Sequence, residues 1–303
     1  MVVPSPDRTT KNASDGEQGM VLINVLVIVM LATAILVMMI ASDDTDIELS
    51  LRLRNATQAS AVARGAELSA VAALRRDLAR GADSDSRKDE WAAIADDDAA
   101  IDGGRFSFDV SDAQAMFNIN NLVRGDAVTN DYFAALAAAV DLSPEKAGQI
   151  ADLVQTSRGI VGLGDLQGAG LTLAEIRRLA VLATVLPEPT DVNLNTAPEM
   201  LAAILLNNPG QARKLMAART AGGGKGGGLT REDLALSGIF PPPGSGVTSS
   251  YYWARSTVDI GGTSQQLTSL LYRRTMGGGP QVLVLKRWRG AAPMQVPPLP
   301  NAI

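Results

Sequence analysis

The sequence predicts an α+β protein: a long N-terminal helix packed on a small antiparallel sheet, with a large helical domain inserted in the sheet. Three observations predict it. An almost uncharged apolar run, Met20 to Ala41, continues without proline into an Ala-, Leu- and Arg-rich segment. An alternating stretch at 105–110 and three β-rich stretches after residue 250 read as strands. Between them lies a series of helical starts with explicit caps.

The first element opens with a polar leader closed by Gly19. The apolar run that follows holds about 22 residues, or about 33 Å of helix, against a bilayer core of roughly 30 Å. Only Asn24, Thr33 and the terminal Ser42 interrupt it with a polar side chain. A secretory signal has a shorter apolar core with its cleavage site behind it. Here the cut falls in front, so the helix stays on the mature protein. An uncleaved signal anchor would look the same apart from Gly19. Arg8 and Lys11 precede the run and Asp43, Asp44, Asp46 and Glu48 follow it, which places the N-terminus in the cytoplasm and the bulk of the chain outside.

Residues 43–80 continue the helix, to a length of about 60 residues in all. Leu53, Ala56, Ala63, Ala66, Val71, Leu74 and Leu78 recur near helical spacing as a candidate apolar stripe. Arg52, Arg64, Glu67, Arg75 and Arg76 are expected on the solvated side, Gly65 marks close packing, and Gly81 is the stop. The acidic stretch 82–104 fits no EF-hand spacing and reads as a solvated linker. Arg105–Val110 alternates as a half-buried strand. Helices then dominate from Leu122 to about Phe240: Ser143-Pro144 is a cap before an early-turn proline. Thr172 with Glu175 and Thr196 with Glu199 have capping-box spacing, and Thr230 with Asp233 is a weaker version. Tyr251–Val258 and Ser264–Arg273 form a hairpin about Gly261-Gly262, Gln281–Trp288 is a further strand, and the proline-rich tail from Ala291 is expected to be disordered.

Composition excludes several functions. The 303 residues carry a net charge of −5, with no histidine and no cysteine. An acidic balance argues against general nucleic-acid binding. Without histidine there is no Ser–His–Asp hydrolysis or His-ligated zinc, and without cysteine no thiol chemistry or disulfide. Leu166–Thr172 has the Gly-x-Gly turn of a helix–hairpin–helix, but its acidic neighbours Asp165 and Glu175 favour a structural hairpin. Gly222–Gly228 fails as a phosphate loop, because Gly226 follows Lys225 where a Ser or Thr would hold magnesium. It reads as a flexible connection. Phe117–Val123, with Asn118, Asn120 and Asn121, and Val192–Glu199, with Asn193, Asn195, Thr196 and Pro198, pass from extended chain into helix. Their asparagines are expected to organise those junctions, and no reacting group accompanies them.

Taken together, Gly19-Met20 with its apolar helix, Phe117–Val123, Val192–Glu199 and Tyr252–Arg273 resemble the general secretion pathway protein K family, large minor pseudopilins of type II secretion systems. The resemblance spans nearly the whole mature chain and implies a pseudopilin fold and a non-enzymatic role at the pseudopilus tip. It implies cleavage between Gly19 and Met20 with N-methylation of Met20 by prepilin peptidase, residence in the bacterial inner membrane, and partnership with minor pseudopilins I and J. Pseudopilin H and the major pseudopilin are further candidate partners, and nucleic acid is not one. At position five of the mature chain most pilin-like subunits carry a glutamate, whereas this chain has Asn24, as the K type does; a tip subunit has no earlier amino terminus to neutralise. Members that bind calcium have an acidic stretch matching Ile150–Arg158, where Asp152 is the one carboxylate, so no metal ligands carry over and no cofactor is expected. A minor pilin of a type IV pilus, serving adhesion or DNA uptake, is the alternative reading; a membrane-anchored hydrolase lacks its residues. The expected segments are leader 1–19, assembly helix 20–42, its periplasmic half 43–81, linker and first strand 82–121, inserted helical domain 122–245, remaining strands 246–290 and tail 291–303.

Overall fold

The computed structural model describes residues 14–81, 83–222 and 227–297. The chain divides into two units, residues 1–54 and 55–303. Helix α1, Ser14–Ala79, contributes to both. In the first unit its large apolar side chains from Met20 to Ile40 are all exposed, and α1 is the one described helix long and apolar enough to cross a membrane.

The second unit is built on a five-stranded antiparallel sheet in the order β1-β2-β7-β8-β9. Its strands are β1 (Asp96–Ile101), β2 (Gly104–Asp112), β7 (Tyr251–Ile260), β8 (Thr263–Met276) and β9 (Gly279–Arg289). Sequence neighbours pair as hairpins, except that β2 lies beside β7 with its register running from Gly104↔Ile260 to Asp112↔Tyr252. Everything between those two strands is therefore an insertion. It contains α3 (Ala127–Ala139), α4 (Pro144–Ser157), α5 (Leu173–Leu179), α6 (Glu199–Leu205), α7 (Pro209–Ala221) and α8 (Arg231–Leu236). Two short parallel bridges frame it: β3 (Phe117–Asn118) with β4 (Ala183–Thr184), and β5 (Val192–Asn193) with β6 (Ser245–Gly246).

The C-terminal half of α1 packs on one sheet face through Ala59, Ala63, Ala66, Ala70, Ala73 and Leu74, all buried. They meet Phe108, Val110, Tyr252, Ala254 and Leu271, and further along Val258, Ile260 and Leu267. Alternation along β7 sends Tyr251 and Trp253 to the opposite face, where they join Leu270, Leu186 and Val296. The insertion has its own core, centred on residues such as Phe133, Leu136, Ile150, Leu163, Ile176 and Leu201.

Several expectations are corrected. The seam of α1 is mostly alanine: Ala63, Ala66 and Leu74 belong to it, Leu53 is exposed, and Val71 and Leu78 lie half-buried at its flanks. Alanines let helix and sheet approach closely, a feature that a search for large apolar residues passes over. Glu67 is buried, not solvated. Gly65 has open space where a Cβ would stand, so it marks no close contact. The stretch 82–104 is no solvated linker: it buries Asp85, Asp89 and Trp91, forms α2 (Glu90–Ala93) and supplies the edge strand β1. The tail is not disordered through 297, because Gln295 and Val296 are buried and Arg255 donates to the Pro297 carbonyl at 2.9 Å. The reading of 223–226 as a flexible connection, the leader residues before Ser14 and the tail beyond Pro297 lie outside the described residues.

Candidate functional site

The sequence singled out two places, the start of the apolar helix and the two asparagine segments, and the structure treats them differently. Gly19 and Met20 lie within α1, and Met20 is exposed. Asn24 faces outward on the same helix, and among the described residues it makes no side-chain hydrogen bond. An uncharged polar group among exposed apolar ones leaves this helix with no ionised side chain between Met20 and Ser42.

The asparagine segments are interior. Asn118 accepts from the Asn120 amide at 3.1 Å and the Leu186 amide at 3.0 Å, and donates to the Glu188 carbonyl at 2.7 Å. Asn120 accepts from the Ile160 amide at 2.8 Å and donates to the Ile160 and Leu186 carbonyls at 3.0 and 2.8 Å. Asn121 exchanges two 2.8 Å bonds with the backbone of Thr190. The second segment repeats the plan. Asn193 accepts from the Asn195 amide at 2.9 Å, while Asn195 accepts from the Leu229 amide at 3.0 Å and donates to the Leu229 carbonyl at 2.9 Å. In each segment the first asparagine turns its own chain, and the second grips a loop backbone distant in sequence, at Ile160 or Leu229. Only a side-chain amide, with donor and acceptor on one rigid plane, satisfies both groups of a buried peptide at once.

Thr196 departs from its expected role. Helix α6 starts one residue after Pro198, which is its N-cap, and Thr196 Oγ1 donates to Asp112 Oδ2 at 2.5 Å. Asp112 is fully buried, and burial pushes its carboxyl up. Hydrogen bonds from Thr196, Ser249, the Gln114 amide and Asn193 oppose that rise. The capping boxes at Thr172–Glu175 and Thr230–Asp233 form as the spacing predicts, and Ser143 caps α4 ahead of Pro144.

Sequence reading missed a buried ionic knot beside the second segment. Arg273 on β8 donates to Asp77 of α1 at 2.5 Å, to Asp85, and to the Ser249 carbonyl at 3.0 Å. Its guanidinium lies over the Tyr252 ring, 5.0 Å from the centroid. Burial works against its charge, but Tyr252 and the facing carboxylates raise its pKa above the ordinary value. Asp77 is raised, chiefly by burial, with Arg273 opposing. Asp89 is pushed up to about 6 by burial, although the Ser86 amide at 2.6 Å and the Trp91 indole at 3.3 Å donate to it. A second tie joins Glu67 of α1 to Arg287 of β9 through two 2.8 Å bonds, with Ser269 donating at 2.5 Å. Burial would raise Glu67, yet these donors outweigh it and hold it below its usual range. The signal for both ties was carboxylates falling at the i, i+3, i+4 positions of the α1 seam. Against charged residues, that position is discounted by any hydropathy rule.

Every one of these polar groups is occupied in holding backbone or a partner charge. The arrangement locks α1, the 85–89 turn, the sheet and the insertion together, and it presents no activated nucleophile.

No family model matches the chain. The chain is 28% identical over 325 residues to the type II secretion system protein K of Pseudomonas aeruginosa, an alignment covering 93% of this chain and 96% of that protein. A chain in the crystal structure of the GspK-GspI-GspJ complex from the enterotoxigenic Escherichia coli type 2 secretion system matches with a TM-score of 0.59. That match covers 79% of this chain and 98% of that one at 19% identity, a likeness of fold. Sequence along nearly the whole chain and fold agree: the protein is similar to type II secretion system protein K, the family its motifs pointed to.

Proposed function

We propose that the protein is a minor pseudopilin of a type II secretion system, a non-enzymatic subunit that initiates or caps the pseudopilus tip and so supports export across the outer membrane. One observation carries the reading: the single helix α1 offers an exposed, uncharged apolar segment from Met20 to Ile40, while its later turns are buried in a head of the K fold. The first segment is suited to packing among other pseudopilin helices, and in this reading the head, enlarged by the insertion between β2 and β7, prevents addition beyond the tip. In this reading prepilin peptidase cuts between Gly19 and Met20 and methylates Met20. The protein starts as a single-pass inner-membrane protein, N-terminus in the cytoplasm and head in the periplasm. The related complex is named for K, I and J together, which supports pseudopilins I and J as partners here. In this reading the calcium site is weak or absent, because the stretch Ile150–Arg158 holds Asp152 as its one carboxylate, and a calcium-induced thermal shift of several degrees would count against that part.

The test is to co-express the full chain with its cognate I and J subunits and purify through a tag on one of them. A stable ternary complex is expected, and deletion of the gene should stop secretion while leaving type IV pili intact. Recovery of I and J without this protein, with secretion unaffected by its deletion, would sink the reading.

A further inference from the structure

A cavity of about 270 Å³ opens where the turn at residues 86–88 meets Asn195–Thr196 and the C-terminal end of α7. Its walls include Arg87, Lys88 and Arg219, and among the described residues no carboxylate lines it. Among the described residues, none of these three cations makes a salt bridge. Asp109 on β2 feels the charge of Arg87, but it also answers to Arg255 and stands outside the cavity.

Arg219 is the informative group. Its terminal nitrogens donate to the carbonyls of Ala197, at 2.7 Å, and Leu194, while its Nε is buried without a partner. Burial, and then the like charge of Arg87, pull its pKa down to about 10. It remains protonated at neutral pH, against both effects. Buried guanidinium groups are ordinarily matched by a carboxylate or phosphate in a forked pair, and an uncompensated one is costly. Lys88 is fixed in the same wall, its Nζ donating to the Arg219 and Thr220 carbonyls at 2.8 and 3.3 Å. Gly227 and Gly228 also line the cavity, packed against the same turn. Gly227 has φ +79°, and a Cβ there would stand 2.9 Å from Lys88 Cδ. At Gly228 a Cβ would stand 2.7 Å from Ser84 Oγ.

Three cations lining one cavity, with no salt bridge to any of them among the described residues, call for one occupant: we propose that this cavity is a binding site for a tetrahedral oxyanion of the phosphate or sulfate type. The anion would supply the charge that Arg87, Lys88 and Arg219 lack, and would fasten the 86–88 turn to α7. The proposal is independent of the secretion reading, since it rests on this cavity alone.

Inorganic phosphate titrated into the full chain in a non-ionic detergent, followed by calorimetry, tests it, with chloride at matched ionic strength as the control. A saturable one-site isotherm is expected with phosphate and none with chloride, and sulfate should compete. Arg219→Met should abolish binding, but it also removes bonds to Leu194 and Ala197 and so endangers the fold. Arg87→Gln decides: Arg87 is exposed, the fold is checked by circular dichroism, and loss of one charge-assisted contact should weaken binding about tenfold. No saturable heat, unchanged affinity in R87Q, or acetate competing as well as sulfate would each overturn the proposal.

Discussion

Asn195 sits where the second segment grips the backbone at Leu229, and its amide answers both peptide groups of that residue. Truncation strands a buried N–H and C=O, each of which costs about 1–3 kcal/mol when unsatisfied. Asn195→Ala is therefore expected to lower stability by about 2–4 kcal/mol, measured as a fall in the urea midpoint at constant slope. Asn195→Asp should fare little better, since the acid cannot donate to the Leu229 carbonyl. An alanine variant within about half a kcal/mol of wild type, the level of an ordinary surface change, would show that water replaces the amide. Asn24 belongs to the same scale but to a different function. A glutamate there adds a carboxylate among apolar side chains, and at a filament tip it gains no neighbouring amino terminus. Asn24→Glu should leave secretion unchanged or reduced; a marked gain in secretion or tip assembly would contradict the tip position.

Among the elements, α1 and the strand pair β2–β7 are the most constrained. Ala70 is fully buried against the sheet, and Ala70→Leu would force helix and sheet apart, at a cost of about 1–3 kcal/mol. Leu68, exposed on the same helix, is the control, and Leu68→Ala should change the thermal midpoint little. At the start of β2, a Cβ on Gly104 would lie 1.7 Å from the Asp259 carbonyl oxygen. Backbone cannot rotate away as a side chain can, so Gly104→Ala should disrupt the β2–β7 register and lower soluble yield. How legible these elements were depends on what marks them. Hairpins about Gly261-Gly262 and the caps at Ser143, Thr172 and Thr230 were readable because turn and cap chemistry is local. The Thr196 cap was misread because the same hydroxyl had a stronger use: a buried carboxylate, Asp112, from far along the chain. The strand β1 was hidden for a related reason. Its acidic residues satisfy edge-strand rules only when β2 is beside them.

For the whole molecule, the buried carboxylates set opposing pH trends. Burial raises Asp89 to about 6 and raises Asp77 and Asp112 as well. Such a group binds a proton in the folded state that the unfolded chain has released, so stability falls as pH rises from about 4 through 6. Glu67 is held low, so its contribution is present above the unfolded value and is lost as pH falls through its folded pKa. Maximum stability is expected where these limbs meet, at about pH 4–4.5. A series of urea midpoints across pH checks it, and Asp89→Asn should flatten the upper limb. A midpoint that climbs steadily to neutral pH would contradict this balance. The Arg273 knot is the other molecule-wide tie. Arg273→Met leaves Asp77 and Asp85 buried without their cation, and should cost about 3–5 kcal/mol.

By itself, the sequence determined what depends on neighbouring residues: the apolar helix that follows Gly19, the uncharged Asn24, the period-2 strands, the capped helices and the two asparagine junctions. Tertiary structure alone decided which carboxylates are interior, that alanines rather than leucines form the α1 seam, that the 82–104 stretch and the tail to Pro297 pack, and that three cations face one cavity. The reason is physical. Caps, turns and amphipathic periods are written within a few residues, whereas the burial of a charge depends on a partner such as Arg273, 188 residues from Asp85, and that pairing exists only once the sheet has formed.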